Sequence, residues 1–123
     1  YLQKNGYIKC INGIILMPNG TVKVHTGIKM EIPNGYCGLL MNRSSLANNY
    51  RLTLCDYVGL IDSDYRGEIT MKIHNGSDSI RFIMDNERVC QMVFVKYNEL
   101  AFDEVSHLSE SSRGEGGYGS TGR

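Results

Sequence analysis

The stretch Glu68-Ile69-Thr70-Met71-Lys72-Ile73-His74 alternates residue by residue, with Ile69, Met71 and Ile73 on one face and Thr70 and Lys72 on the other. A period of two marks a strand with one buried face. Thr21-Val22-Lys23-Val24-His25 repeats the pattern. Outward from these, the apolar runs at 14–17, 37–41, 52–55 and 89–95 read as more fully buried strands. Between them stand Pro18-Asn19-Gly20, Pro33-Asn34-Gly35, Asp64-Tyr65-Arg66-Gly67 and Asn75-Gly76, residue types that supply turn dihedrals. Strands punctuated every ~8–12 residues predict an all-β sandwich or barrel-like fold. Only 44–49 offers a helical turn.

The chain has 123 residues, 41% of them hydrophobic, enough for one domain with a real core and too apolar for global disorder. Thirteen Lys+Arg balance thirteen Asp+Glu, so no broad basic surface for nucleic acid is expected. A polyanion would have to be met by a local cluster of positive groups. The longest apolar run, Ile14-Ile15-Leu16-Met17, falls far short of the ~20 residues that span a bilayer, so no membrane partner is expected. No segment reads as a signal peptide. Cys10, Cys37, Cys55 and Cys90 include no C-x-x-C, and His25, His74 and His107 are scattered, so no structural metal is expected. Reduced thiols, packed as small apolar residues in an intracellular protein, are the reading.

The C-terminus changes character. Residues 1–104 carry the strand patterns, whereas 105–123 are polar and end in RGEGGYGSTGR. Alone, such a terminus reads as a floppy tail. Gly114, Gly116 and Gly119 fit G-x-G-x-x-G in form only, because no strand precedes them and no helix follows. Ser120 stands where a P-loop has its Lys. What survives is physical: glycine N–H groups beside Arg113 suit the oxygens of a polyphosphate.

Three other places carry candidate chemistry. In Gly59-Leu60-Ile61-Asp62-Ser63-Asp64-Tyr65-Arg66-Gly67, two carboxylates, an aromatic and an Arg crowd a turn. It reads either as a solvated hairpin with a local ion pair or as a site in which Asp62, after three apolar residues, leans inward as a general base. Arg43-Ser44-Ser45 is either a surface turn or a phosphate grip. Gln91, inside an apolar run, is either a satisfied core amide or a ligand contact.

In this order, Arg43-Ser44-Ser45-Leu46-Ala47, the stretch from Gly59 to Ile69, Glu87-Arg88-Val89-Cys90-Gln91-Met92 and the tail from Arg113 to Gly122 resemble motifs two to five of the trimeric dUTPases. The spacer Thr26-Gly27-Ile28 and Ile32-Pro33-Asn34-Gly35-Tyr36 fits as well, and the resemblance runs from residue 18 to 122.

The resemblance implies a jelly-roll-like β domain over 1–104 with an incomplete N-terminus, and an arm over 105–123 that closes over a neighbouring subunit's site in a homotrimer. It implies hydrolysis of dUTP to dUMP and diphosphate with magnesium, inside the cell. Asp62 would deprotonate the water that attacks the α-phosphorus. Tyr65 would pack on the deoxyribose and exclude a 2′-hydroxyl. The backbone from Asp56 to Tyr65, including Gly59, Leu60 and Ile61, would read the uracil edge, with Thr70 a weaker contact. Arg43, Ser44, Ser45 and Gln91 would hold phosphate oxygens. From the arm, Arg113 would grip the outer phosphates, Tyr118 would stack on uracil, and Gly119, Ser120 and Thr121 would close the site. Magnesium would be held through the triphosphate and waters, with no direct protein ligand.

Two positions depart from the family pattern. Its first motif, Ala-Gly-x-Asp-Leu, corresponds to Asn5-Gly6-Tyr7-Ile8-Lys9, without the Asp. Asp56 stands where many relatives have Asn. The missing Asp motivates an alternative, a catalytically impaired dUTP-binding or regulatory protein on the same scaffold. A dCTP deaminase, which shares the fold, is a third reading, opposed by the Asp62-x-x-Tyr65 pairing and the tail.

Overall fold

The computed structural model describes residues 6–117. Its strands, in chain order, are β1 (Tyr7–Cys10), β2 (Gly13–Leu16), β3 (Thr21–His25), β4 (Tyr36–Asn42), β5 (Leu52–Leu54), β6 (Val58–Ile61), β7 (Thr70–Asn75), β8 (Arg81–Met84) and β9 (Cys90–Lys96). They form three antiparallel sheets, ordered β1-β2-β8, β3-β7-β5 and β6-β4-β9, which wrap one apolar core in a jelly-roll-like fold.

The alternation at 68–74 does what its period dictates. Ile69, Met71 and Ile73 are all buried, Ile73 completely. On β7, Ile73 pairs with Val22 of β3 on one side and Leu54 of β5 on the other. All three side chains are buried, so the row crosses the sheet inside the core. Such cross-strand rows are the unit of sheet stability, and each side chain contributes about 1.5–3 kcal/mol by leaving water.

Turn chemistry fixes the corners. Asn19 has φ 57° and Gly20 N–H donates to Met17 O at 2.9 Å. Gly35 has φ 82°, a region open to glycine, and Tyr36 N–H closes the turn on Pro33 O at 3.1 Å. The expected helical turn forms at Leu46–Tyr50, stopped by Arg51 in the left-handed region. At the Asn75-Gly76 turn signal, Asn75 ends β7 with its side chain fully buried. Its Nδ2 donates to Leu16 O, Met17 O and Ser79 O (2.8–3.1 Å), and its Oδ1 accepts from Ser77 N–H and Oγ.

Strands β1, β6 and β8 escaped the sequence pattern. Each has four residues, and Leu60, Phe82 and Met84 are apolar yet exposed, so no apolar–polar contrast marks a face. The run at 89–95 is only partly interior: Val89 is buried, while Val93 and Phe94 are exposed in the single chain. The β6-β4-β9 sheet consequently shows an open apolar row, in which Leu39 pairs with Leu60 and with Val93. All four cysteines are free thiols. Cys37 is buried and Cys90 half-buried, but Cys10 and Cys55 lie on the surface, correcting the expectation that they pack inside. Among the described residues, no helix is long and apolar enough to cross a membrane.

Candidate active site

Among the described residues strand β6 pairs only with β4, so its outer edge presents backbone N–H and C=O groups, the kind of edge that can read a planar polar ligand. Asp56 precedes it, and its carboxylate turns back to within 4.0 Å of where a Cβ on Gly59 would stand. After β6 the chain turns sharply, with Tyr65 N–H donating to Asp62 O at 3.2 Å. A cavity of about 180 Å³ is lined by Leu60, Ile61, Asp62, Tyr65, Glu68 and Thr70. Five of these six residues were expected at the site.

Two of the expectations for this turn change. Asp62 does not lean inward; it is exposed on the single chain, and among the described residues its carboxylate has no partner. The reason lies in the alternation of β6, where Gly59 and Ile61 are half-buried and Val58 and Leu60 exposed, so that Asp62 falls next on the exposed side. The ion pair of the turn runs from Arg66 Nη2 to Glu31 Oε1 at 3.3 Å, while Arg66 Nη1 braces the turn through Ser63 O at 2.7 Å. Tyr65 is fixed at two points. Its hydroxyl donates to Glu68 O at 3.0 Å, and a Cβ at Gly67 would run into its ring.

Glu68 is the residue that sequence reading missed. Its Oε1 accepts from Gly27 N–H at 2.8 Å and its Oε2 lies 2.8 Å from His25 Nδ1. These bonds, the one to His25 foremost, hold its carboxyl below the ordinary value of 4.5. The available signal was a carboxylate at the start of an alternating strand, on its polar face.

The remaining candidates gather elsewhere. Arg43 follows β4, its N–H directed at Val89 O and its Nη1 donating to Arg88 O at 2.6 Å. Its carbonyl starts the helical turn by accepting from Leu46 N–H at 3.0 Å, leaving the Ser44 and Ser45 hydroxyls free of partners among the described residues. Gln91 sits on β9 opposite Met41 and is exposed, not a core amide, because the outer face of that sheet is open. It lines a second cavity of about 680 Å³, whose wall mixes apolar Val24, Met30 and Ile83 with polar Glu87 and Arg88 and includes none of the Asp62 group. Arg113 is exposed and its carbonyl accepts from Gly116 N–H at 3.1 Å. Tyr118, Gly119, Ser120 and Thr121 lie outside the described residues.

The donor set offers no cage for a divalent cation. Among the described residues no three His, Cys, Asp or Glu side chains converge, and half-buried Ile8, on β1, occupies the first-motif position expected to be acidic. A magnesium ion would therefore be held by the oxygens of a bound polyphosphate.

A dUTPase family model matches residues 7–122. The deoxyuridine 5′-triphosphate nucleotidohydrolase of Anaplasma marginale is 40% identical over 109 residues, covering 89% of this chain and 74% of that protein. The enzyme of the same name from Finegoldia magna is 42% identical over 111 residues, 90% and 78% of the respective chains. Among solved structures, a Staphylococcus bacteriophage 80alpha dUTPase mutant with dUpNHpp superposes with a TM-score of 0.78 at 25% identity, covering 99% of this chain and 95% of that one. With that match across nearly the whole length, and with the Asp62–Tyr65 hairpin seated in one cavity, the chain belongs to the dUTPase family.

Proposed function

We propose that this protein is a dUTP diphosphatase, hydrolysing dUTP to dUMP and diphosphate, with Asp62 as general base. The observation that carries the reading is the convergence of Leu60, Ile61, Asp62, Tyr65 and Thr70 on one cavity beside an open strand edge. Uracil pairs with the backbone edge of β6, from Asp56 through Gly59 to Ile61, and the sugar lies against Tyr65. The unpaired Asp62 carboxylate takes a proton from a water as that water attacks the α-phosphorus, and the β,γ-diphosphate leaves. Arg43, Ser44, Ser45 and Gln91 bind the phosphates; a guanidinium and hydroxyls suit oxygens whose charge grows in the transition state.

Asp62 and the Arg43 group lie far apart in one chain, so the complete site is assembled between copies, in a homotrimer. The apolar row Leu60–Leu39–Val93, exposed at Leu60 and Val93 and half-buried at Leu39, supports a subunit contact there. Residues 105–123 form the arm. Val105 through Ser112, extended at ~3.3 Å per residue, reach ~26 Å, far enough to bring Arg113 and the Tyr118–Ser120 segment over a neighbour's site. A magnesium ion, held through phosphate oxygens and waters with no direct protein ligand, would supply charge neutralisation for the bound triphosphate. Relatives sharing 36–42% identity carry a hydrolase name, which favours turnover over a purely binding role.

Diphosphate release from dUTP, dTTP, dCTP and UTP tests the reading. Turnover selective for dUTP is expected, with Asp62→Asn losing at least about a hundredfold in kcat while still binding dUpNHpp. An unchanged rate in Asp62→Asn removes Asp62 as the base, and ammonia release from dCTP would point to the deaminase chemistry instead.

A further inference from the structure

Several hydrogen bonds tie the exit of β3 to the segment that carries Tyr65. Glu68 accepts from Gly27 N–H and bonds His25 Nδ1, both at 2.8 Å. Thr26 Oγ1 donates to Ile69 O at 2.7 Å, and Ile69 N–H donates to Ile28 O at 2.9 Å. The Tyr65 hydroxyl then donates to the carbonyl of Glu68 itself, while the ring rests against Gly67. Glu68 and Asp62 line the same cavity, but their carboxylates differ. Both oxygens of Glu68 are engaged, whereas Asp62 has none engaged among the described residues.

We infer that Glu68 is the positioning residue for Tyr65: by clasping Gly27 and His25 it fixes residues 65–69 and thereby the ring that rejects a ribose. The inference rests on the dUTPase reading above and adds to it the element that sets sugar discrimination. Its physical basis is that a phenol can exclude a 2′-hydroxyl only if it cannot move aside. The ring hangs from a carbonyl whose own residue is anchored across to another strand. With the carboxylate gone, Gly27 N–H loses its acceptor, and the ties between the segment and the exit of β3 are reduced to the Thr26–Ile69 and Ile69–Ile28 bonds. The ring then has room to yield to a 2′-hydroxyl.

The test compares Glu68→Ala, Glu68→Gln, Tyr65→Ala and the Glu68→Ala/Tyr65→Ala double variant in the full chain, reading kcat/KM for dUTP and for UTP. Glu68→Ala is expected to lower the dUTP/UTP preference by about tenfold, chiefly by admitting UTP, as loss of a steric or polar discriminator does. Glu68→Gln keeps an acceptor for Gly27 N–H and an N–H for the His25 ring, and should hold the preference within about threefold of wild type. In the double variant the Glu68 change should add nothing to the loss caused by Tyr65→Ala, because residues acting as a unit are non-additive. A Glu68→Ala protein that folds, turns over dUTP and keeps its preference within about twofold overturns the inference, as does full additivity with Tyr65→Ala. Amide exchange of Gly27 and of residues 65–69 is read alongside. If the wild type hydrolyses neither nucleotide, the enzyme reading fails on its own, and exchange decides the clasp: faster exchange in Glu68→Ala supports it and unchanged exchange overturns it.

Discussion

Asp62 and Arg43 stand at opposite ends of β4. Ile61 pairs with Gly38, which sets Asp62 beside the start of that strand, whereas Arg43 follows its last residue, Asn42. Six residues of extended chain separate the two levels, ~20 Å at ~3.3 Å per residue. No single triphosphate group bridges that span within one chain while Asp62 still meets its α-phosphorus. That separation is the reason the proposed reading draws the base and the phosphate grip of one site from different copies.

Stability rests on the β7 row. Ile73→Ala removes a fully buried side chain wedged between Val22 and Leu54. Denaturant unfolding should show a loss of about 3–4 kcal/mol, the middle of the ~2–5 kcal/mol span for truncating a large aliphatic residue in a core. A loss below about 1 kcal/mol would mean the row collapses around the gap.

Acid should weaken the clasp. The folded-state carboxyl of Glu68 lies below 4.5 because of His25 first and the Gly27 N–H second, with nearby Lys23 adding to them. A lowered carboxyl contributes stability that is present above its unfolded value and is lost as pH falls through the folded one. Thermal unfolding of wild type and Glu68→Gln should differ at neutral pH and converge on the acid side of 4.5. Curves separated by a constant gap down to the lowest pH would show that the carboxylate charge is not what the contact depends on.

Removal of residues 113–123 should leave the β fold and its assembly intact, since among the described residues the buried core and the apolar side chains packed against it lie between Tyr7 and Met92. Turnover should fall by at least about a hundredfold, as when a closing segment that excludes water and completes a site is lost. Sedimentation and steady-state kinetics on the same preparation check both halves, and retained turnover would return the tail to the status of a floppy end.

Much of this was legible in the sequence because periodicity reports burial. The patterns at 21–25 and 68–74 became β3 and β7, and the turn residues Asn19 and Gly35 sit at positive φ as their chemistry requires. The pattern failed where apolar residues remain exposed on one chain: β6 carries Val58 and Leu60 outward, and Gln91 shares an outer face with Val93. Alternation cannot distinguish a face covered by the chain's own core from one covered by a partner. Motif order pointed to hairpin residues that line one cavity, but not to Glu68, whose partners Gly27 and His25 lie some forty residues away. Sequence spacing carries no trace of such a contact.

Mixing two inactive variants probes the shared site. Asp62→Asn and Arg43→Ala are each prepared alone, then unfolded together, refolded and assayed for diphosphate release from dUTP. With sites built between copies, random assortment in a trimer restores about a quarter of wild-type activity, because one site in four draws its intact Asp62 and its intact Arg43 from different chains. Activity no higher than that of either variant alone, in a mixture shown to have exchanged subunits, would place both groups on a single chain's site and contradict the shared arrangement.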